Sequence, residues 1–160
     1  MKDVMNDIIE GILTTCNIHS KRLRWSMKKI HPLIPIDATT FSHLSEEEVA
    51  VFDQFAARFS KLQNYMATKL FPLVLEITEE PMDSSAFIDK LNKLEKLEVI
   101  PSTEQWLEFR NTRNRFTHDY PEDSEKNSDV FNKAFSEASE LLKIYDDIKQ
   151  YIKKFSNTPD

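Results

Sequence analysis

Apolar residues recur three or four positions apart through most of the chain, which places them on one face of an α-helix. Prolines and capping residues divide this pattern into five segments, and none shows the alternation typical of a strand. The first predicted helix covers 3–30, and an extended connector follows it from His31-Pro32. Its predicted buried stripe is Met5, Ile8, Ile9, Ile12, Leu13 and Cys16.

The second predicted helix is the longest and has the clearest start. Ser45 and Glu48 have the spacing of a capping box, in which each side chain satisfies a free backbone amide. Pro72 lacks an amide donor, so it should kink this helix, or end it and start another, near Lys69. The predicted stripe is Val49, Phe52, Ala56, Phe59, Leu62, Met66, Leu70, Leu73 and Ile77.

Three further helices complete the predicted fold. They cover 83–99, closed by Pro101, then 102–119, with Ser102 and Gln105 as a second capping box, and finally a segment that ends near Phe155. Short connections favour antiparallel neighbours, so the sequence predicts an all-α, up-and-down bundle of four principal helices plus one shorter helix. The stripe of the last helix is Phe131, Ala134, Phe135, Ala138, Leu141, Leu142, Tyr145, Ile148, Ile152 and Phe155.

Composition narrows the function classes. The 160 residues suffice for one domain, covering 1–160, and the single glycine, Gly11, excludes phosphate-binding loops that need several glycines. One cysteine and no zinc-type spacing point to a reducing cytoplasm, without a disulfide or a metal. The acidic start and the lack of a long apolar run predict neither a signal peptide nor a membrane span. The net charge of -6 restricts any nucleic-acid binding to a local basic site.

The densest polar segment lies at the end of the fourth predicted helix, over 110–121. Arg110, Asn114 and His118 are four apart and form one polar stripe, whereas Arg113 lies about 140° from His118 on an ideal helix. Histidine can move a proton near neutral pH and arginine can hold a phosphate, so this group suits phosphodiester chemistry. The alternative is a solvated helix end in which the arginines pair with Glu104, Glu108, Glu122 and Asp123.

The order Arg113, four residues, His118, one residue, Tyr120 resembles the motif of HEPN-domain proteins of the HepT toxin type. Asn114 matches the polar residue that usually follows the arginine in those proteins. The stretches 55–63 and 91–97 also resemble a bacterial branch of this superfamily. The resemblance covers about 45–155 and leaves 1–44, an N-terminal helix and connector, outside it.

The resemblance implies a homodimer whose two motifs meet at a cleft on the twofold axis, where Arg113 of one chain approaches His118 of the other. It also implies RNA cleavage without metal or other cofactor, with Arg113, His118 and Asn114 as catalytic residues. Tyr120 would accept AMP from a cognate minimal nucleotidyltransferase antitoxin, and the added phosphate would repel RNA. Other members of the superfamily are substrate-binding companions of nucleotidyltransferases, and this alternative stays open.

Several other residues are weaker candidates for a role in function. Arg110, Arg115, Arg58 and Lys61 are candidate RNA contacts, although for the last two a solvated helix face is the favoured interpretation. Trp25, if exposed, adds a stacking group to a basic run, and a buried Trp25 is the equal alternative. Cys16 is predicted to lie in the core, and Phe116 is predicted to be a packing anchor instead of a base-stacking group. Asp119 has at most a minor orienting role. His19, His31 and His43 are predicted to lie at the surface or in loops. The basic run around Trp25 consists of Lys21, Arg22, Arg24, Lys28 and Lys29.

Overall fold

A computed structural model describes residues 2–78, 86–117 and 123–155 of the chain. Every regular element within these ranges is helical, which confirms the all-α prediction. A 3-10 turn, His31–Leu33, follows the first helix, and a π-helical segment, Met66–Leu70, joins the third helix to the fourth. The α-helices are α1 (Lys2–Ile30), α2 (Ala38–Ser42), α3 (Glu46–Tyr65), α4 (Phe71–Ile77), α5 (Phe87–Lys96), α6 (Thr103–Thr117) and α7 (Ser124–Phe155).

Four long elements form an up-and-down bundle, as the sequence predicts: α1, the continuous stretch α3–α4, α6 and α7. The pairs Phe59–Phe116 and Phe71–Trp106 show that α3–α4 runs antiparallel to α6. Likewise, α1 and α7 run antiparallel, since Tyr145 bonds the Leu13 carbonyl while His31 lies against Phe135. Within the described ranges, none of the helices is long and apolar enough to cross a membrane.

The second capping box is only half formed, because its glutamine points elsewhere. At the start of α3 both bonds of the predicted box are present between Ser45 and Glu48. At the start of α6 the hydroxyl of Ser102 accepts the Gln105 amide, but the Gln105 side chain donates to Glu140 on α7. Gln105 therefore ties α6 to α7 instead of closing its own cap.

The interruption near Pro72 takes the form of a π-bulge. The amide of Phe71 donates to the carbonyl of Met66, five residues back, and Pro72 follows in the first turn of α4. A proline has no amide donor and crowds the preceding turn, which an extra residue per turn accommodates. The predicted break near Lys69 is thus confirmed, and it widens the helix beside α6.

The predicted extended connector after α1 is wrong in part. It contains the 3-10 turn and α2, whose first turn is capped by Asp37 accepting from the Thr40 amide. Asn132 on α7 then bonds both the amide and the carbonyl of Ile36, which fixes the connector to the bundle. These tertiary bonds stabilise a five-residue helix that hydrophobic spacing does not reveal.

The predicted buried stripes include three residues that the structure exposes. Ile8 on α1, Val49 on α3 and Phe155 on α7 are 48%, 43% and 55% exposed. Val49 and Phe155 lie near the ends of their helices, beyond the packed centre of the bundle. Ile8 lies on the outer side of α1, whereas the adjacent Ile9 faces the core.

The third predicted helix ends earlier than Pro101. Its last helical residue is Lys96, and Glu98 has a φ of 61°, in the left-handed region. The amides of Glu98 and Val99 donate to the carbonyls of Glu95 and Leu94, which is the hydrogen-bond pattern of a Schellman motif. A non-glycine residue at this position costs about 1–2 kcal/mol, so the motif stops the helix at the expense of local strain.

Replacing Glu98 with glycine should therefore stabilise the fold. Glycine adopts this backbone without strain but loses about 0.5–1 kcal/mol of chain entropy on folding, which leaves a net gain of about 0.5–1 kcal/mol. Urea unfolding followed by circular dichroism measures the gain. Glu98→Ala is the control, because it removes the carboxylate but keeps the Cβ, and equal stability of the two variants would contradict the assignment.

Candidate functional site

The predicted catalytic helix, α6, borders a cleft that it shares with α3, the π-bulge, α4 and α5. The cleft has a volume of about 380 Å³, and its lining includes the apolar residues Ala67, Phe71, Pro72 and Phe87. Of the described residues that line it, three carry positive charge and none carries negative charge. The lining is Gln63, Asn64, Ala67, Thr68, Phe71, Pro72, Phe87, Lys90, Arg110 and Arg113.

Arg113 is held in place by three amide oxygens. Its Nη1 donates to Oε1 of Gln63 at 2.7 Å and to Oδ1 of Asn64 at 3.1 Å, and its Nη2 donates to Oδ1 of Asn114 at 3.3 Å. Gln63 is only 1% exposed, so it is a fixed acceptor at the centre of the bundle. These bonds orient the guanidinium without neutralising it, because amides carry no charge.

The electrostatics of the cleft favour an anion. Partial burial lowers the pKa of Arg113 below its usual value, and the neighbouring charge of Arg110 lowers it further. Arginine nevertheless stays protonated at any physiological pH. Arg113 makes no ion pair with any of the described residues, so its charge is uncompensated there.

The alternative of simple ion pairing finds no support among the described residues. Glu108 pairs with Lys133 on α7 at 2.8 Å instead of with an arginine of its own helix. Asp123 approaches Lys126 at 3.9 Å. In the described part of the chain, neither of these two acids therefore forms an ion pair with an arginine of α6. Arg110 and Arg113 both line the cleft.

His118 and Tyr120 of the motif, together with Asp119 and Glu122, lie outside the described residues. The helix that carries the motif is described up to Thr117, directly before His118. Asn114, which the resemblance implies as a catalytic residue, accepts a hydrogen bond from Nη2 of Arg113, and its catalytic role stays a prediction. The catalytic role of His118 and the modification of Tyr120 stay predictions.

The other candidate RNA contacts do not join the cleft. Arg58 donates from Nη1 to Nδ1 of His19 on α1 at 2.9 Å, and Lys61 is exposed on the same side of α3. Gln63 lies about 140° around the helix from Arg58, so the two face different neighbours. Arg115 is half-buried and is not part of the cleft lining.

Of the three histidines, His31 and His43 are exposed as predicted, but His19 is not a surface or loop residue. It is half-buried in the middle of α1, with Tyr65 edge-on to its ring at 6.2 Å. Burial lowers the pKa of His19, and the charges of Arg58, Lys61 and Arg22 lower it further. His19 is therefore neutral at neutral pH.

The predictions for Cys16 and Phe116 are confirmed. Cys16 is fully buried, and burial raises the pKa of its thiol to about 12. Phe116 packs against the rings of Phe59 and Phe131 at 6.0 and 5.1 Å. Phe116 thus anchors the end of α6 to α3 and α7.

A buried carboxyl ties α6 to α7 behind the cleft. Oε1 of Glu137 accepts from the hydroxyl of the fully buried Thr112 at 2.9 Å and lies 3.9 Å from Lys133. Its Oε2 is buried without a hydrogen-bond partner. Burial raises the pKa of Glu137 above its usual 4.5, and the bond to Thr112 opposes this only in part.

Because the folded chain holds the Glu137 proton more tightly than the unfolded chain, this group stabilises the fold at low pH. Its contribution is lost as pH rises from about 4.5 through the higher folded pKa. Glu137→Gln should remove this loss and give a less negative slope of melting temperature against pH over that window. Glu125→Gln, on the exposed face of α7, is the control, and a slope like that of the wild type in Glu137→Gln would contradict the assignment.

Sequence reasoning missed two contributors to the cleft. Lys90 is not among the candidate site residues that the sequence indicates, yet it lines the cleft. Gln63 is not among them either, and it accepts a hydrogen bond from Arg113. A signal for Gln63 exists in the sequence, since it lies four positions from both Phe59 and Ala67 on one helix face and a buried amide needs a partner.

Comparison of the chain with protein-family models, curated proteins and solved structures found no match.

Proposed function

We propose that this chain is a HepT-like toxin, a cytoplasmic homodimeric endoribonuclease that cleaves RNA without a metal. The observation that carries the proposal is the state of Arg113: half-buried, oriented by three neutral amides and free of any carboxylate among the described residues. An arginine kept charged and pre-oriented is suited to bind a phosphate by two parallel bonds.

The proposed reaction is transfer of the phosphate from the 5′-oxygen of the leaving nucleotide to the neighbouring ribose 2′-oxygen. His118 takes the 2′-hydroxyl proton or supplies a proton to the leaving oxygen, and Arg113 stabilises the charge that develops on the phosphate. Arg110 and Lys90 add positive charge around the same cleft. This local charge compensates for the overall net charge of -6, which gives RNA little long-range attraction.

The proposal includes control through Tyr120, two residues after His118. AMP transferred to this tyrosine by a partner nucleotidyltransferase adds a phosphate seven residues after Arg113 in the chain. That phosphate competes with RNA for Arg113 and repels the RNA backbone.

One observation favours the second candidate, a non-catalytic companion that presents substrate to a nucleotidyltransferase. The cleft combines three cations with the apolar surfaces of Phe71, Pro72 and Phe87 in about 380 Å³, a size and chemistry that suit one nucleotide. A companion would bind a nucleotide there without cleaving RNA.

Induced expression in bacteria separates the two candidates. The toxin proposal expects growth arrest and RNA loss with the wild type, and neither with His118→Ala at equal protein level. Intact-protein mass from both cultures checks for AMP on Tyr120, which would silence the wild type. Normal growth with unmodified protein and intact RNA would overturn the toxin proposal and favour the companion.

A further inference from the structure

We infer that the outer face of α1 pairs with α1 of a second copy of this chain, antiparallel and about a twofold axis. This inference is independent of the proposed function. It rests on the spacing, exposure and charge of residues that the bundle leaves unused. The face consists of Val4, Ile8, Gly11, Thr15, Ile18, Arg22, Trp25 and Lys29.

These residues follow each other at alternating intervals of four and three, which is the spacing of a two-helix seam. Four of the exposed large apolar side chains of the described chain lie on this one face: Val4 at 63%, Ile8 at 48%, Ile18 at 46% and Trp25 at 49%. The opposite face of α1, with Ile9, Leu13, Cys16 and Leu23, is already buried in the bundle. The seam is therefore a second apolar face on a helix that needs only one for its own fold.

The charges along α1 identify the occupant and its direction. The first ten residues carry Asp3, Asp7 and Glu10, while the second half carries the basic run 21–29. A parallel pair would place like charges together, whereas an antiparallel pair of identical helices places each acidic half against the basic half of its partner. In this register Asp7 faces Lys28 of the partner subunit, and the twofold axis repeats the contact.

The side chains of the seam fit the same register. Ile18 falls opposite Thr15 of the partner subunit, and Trp25 falls opposite the partner's Ile8. Arg22, the bulkiest polar residue of the seam, falls opposite the partner's Gly11. On the side of Trp25, α1 and Gln54 of α3 bound a concave groove of about 480 Å³, which can receive the partner's Ile8.

Gly11 has no explanation inside its own chain. A Cβ at this position would meet no atom within 4 Å, so nothing in the bundle requires a glycine. In the interior of a long helix glycine is less favourable than alanine by about 0.5–1 kcal/mol. A second helix that approaches closely at this point supplies the reason for its presence.

The first test measures particle mass by light scattering. Ile8→Glu and Trp25→Glu are expected to halve the mass of the wild type, through a rise of about 100-fold in the dissociation constant. Halving is expected whether or not a second pair forms near α6. Val49→Glu, which charges an equally exposed apolar residue outside the seam, should leave the mass unchanged. A wild type that is monomeric at 100 micromolar, or a mass unaffected by both seam variants, would overturn the inference.

The second test uses charge reversal to fix the direction. Asp7→Lys and Lys28→Asp should each weaken the pair by about tenfold, because each creates two like-charge contacts. An equal mixture of the two variant chains should recover wild-type affinity, since both contacts then join opposite charges. A mixture no tighter than the separate variants would overturn the antiparallel register.

A disulfide test checks the register without disturbing charge. In a chain carrying both Ile8→Cys and Trp25→Cys, the two thiols lie about 25 Å apart along the helix and can join only between copies. Mild oxidation should yield covalent dimers from this variant and none from either single variant. Dimers from Ile8→Cys alone would indicate a parallel pair and contradict the inference. Retained RNA cleavage in Ile8→Glu would separate this interface from the α6 cleft.

Discussion

Replacing Arg113 with alanine is expected to lower the rate of RNA cleavage by about 10²–10³-fold, which is typical for loss of one pre-oriented group that stabilises developing charge. Arg113→Lys should recover little of this activity, since an ammonium lacks the planar fork that meets two phosphate oxygens at once. The measurement is the initial rate of cleavage of a labelled RNA, with enzyme in excess.

The stability of the Arg113→Ala variant needs separate control. The substitution leaves Oε1 of the buried Gln63 without its partner, which costs about 1–3 kcal/mol. The assay is therefore made at a temperature at which circular dichroism shows the variant folded. Lys143→Ala removes one positive charge from an exposed position on α7, and its rate should stay within twofold of the wild type. Equal loss in both variants would show a general charge effect and contradict the role of Arg113.

Replacing Trp106 with alanine is expected to lower the free energy of unfolding by about 3–5 kcal/mol. The indole is fully buried on α6 and lies 4.5 Å from the ring of Phe71 and 5.8 Å from that of Phe109. Because a domain of this kind has about 5–15 kcal/mol in total, the variant should lie near the limit of folding at 37 °C. Denaturant unfolding monitored by circular dichroism measures the loss.

Trp106→Phe separates cavity formation from hydrogen bonding. The Nε1 of Trp106 is buried without a hydrogen-bond partner, so phenylalanine removes an unsatisfied donor while it keeps most of the ring contacts. We expect this variant to lose far less stability than Trp106→Ala. A similar loss in both would indicate that the indole nitrogen has a partner in the folded chain.

Hydrophobic periodicity predicted the long helices because each of them buries a stripe of apolar residues against other helices of the bundle. The capping box at Ser45 and the break before Pro72 were predictable because both act within a few residues of the backbone. The short helix α2 was not, since five residues are too few for a stable isolated helix and the bonds that fix the chain before it join Ile36 to Asn132, 96 residues away. The early end of α5 depends on a left-handed Glu98, a conformation that its side chain does not favour.

The residues of the candidate site were likewise predictable only in part. Arg113, Arg110 and Asn114 were predictable because they belong to one short segment of one helix. Lys90 and Gln63 come from other helices, and only packing brings them to the cleft. The exposure of Ile8 shows a further limit, because spacing alone does not distinguish a face that packs within the chain from one left exposed.

The central claim, RNA cleavage without metal by the Arg113–His118 motif, is tested most directly with purified protein in excess EDTA. We predict that the wild type cleaves RNA and leaves 2′,3′-cyclic phosphate ends, and that His118→Ala is slower by about 10²–10⁴-fold, the typical contribution of a general acid or base. Wild-type cleavage that is absent in EDTA, or that persists at full rate in a folded His118→Ala variant, would contradict it.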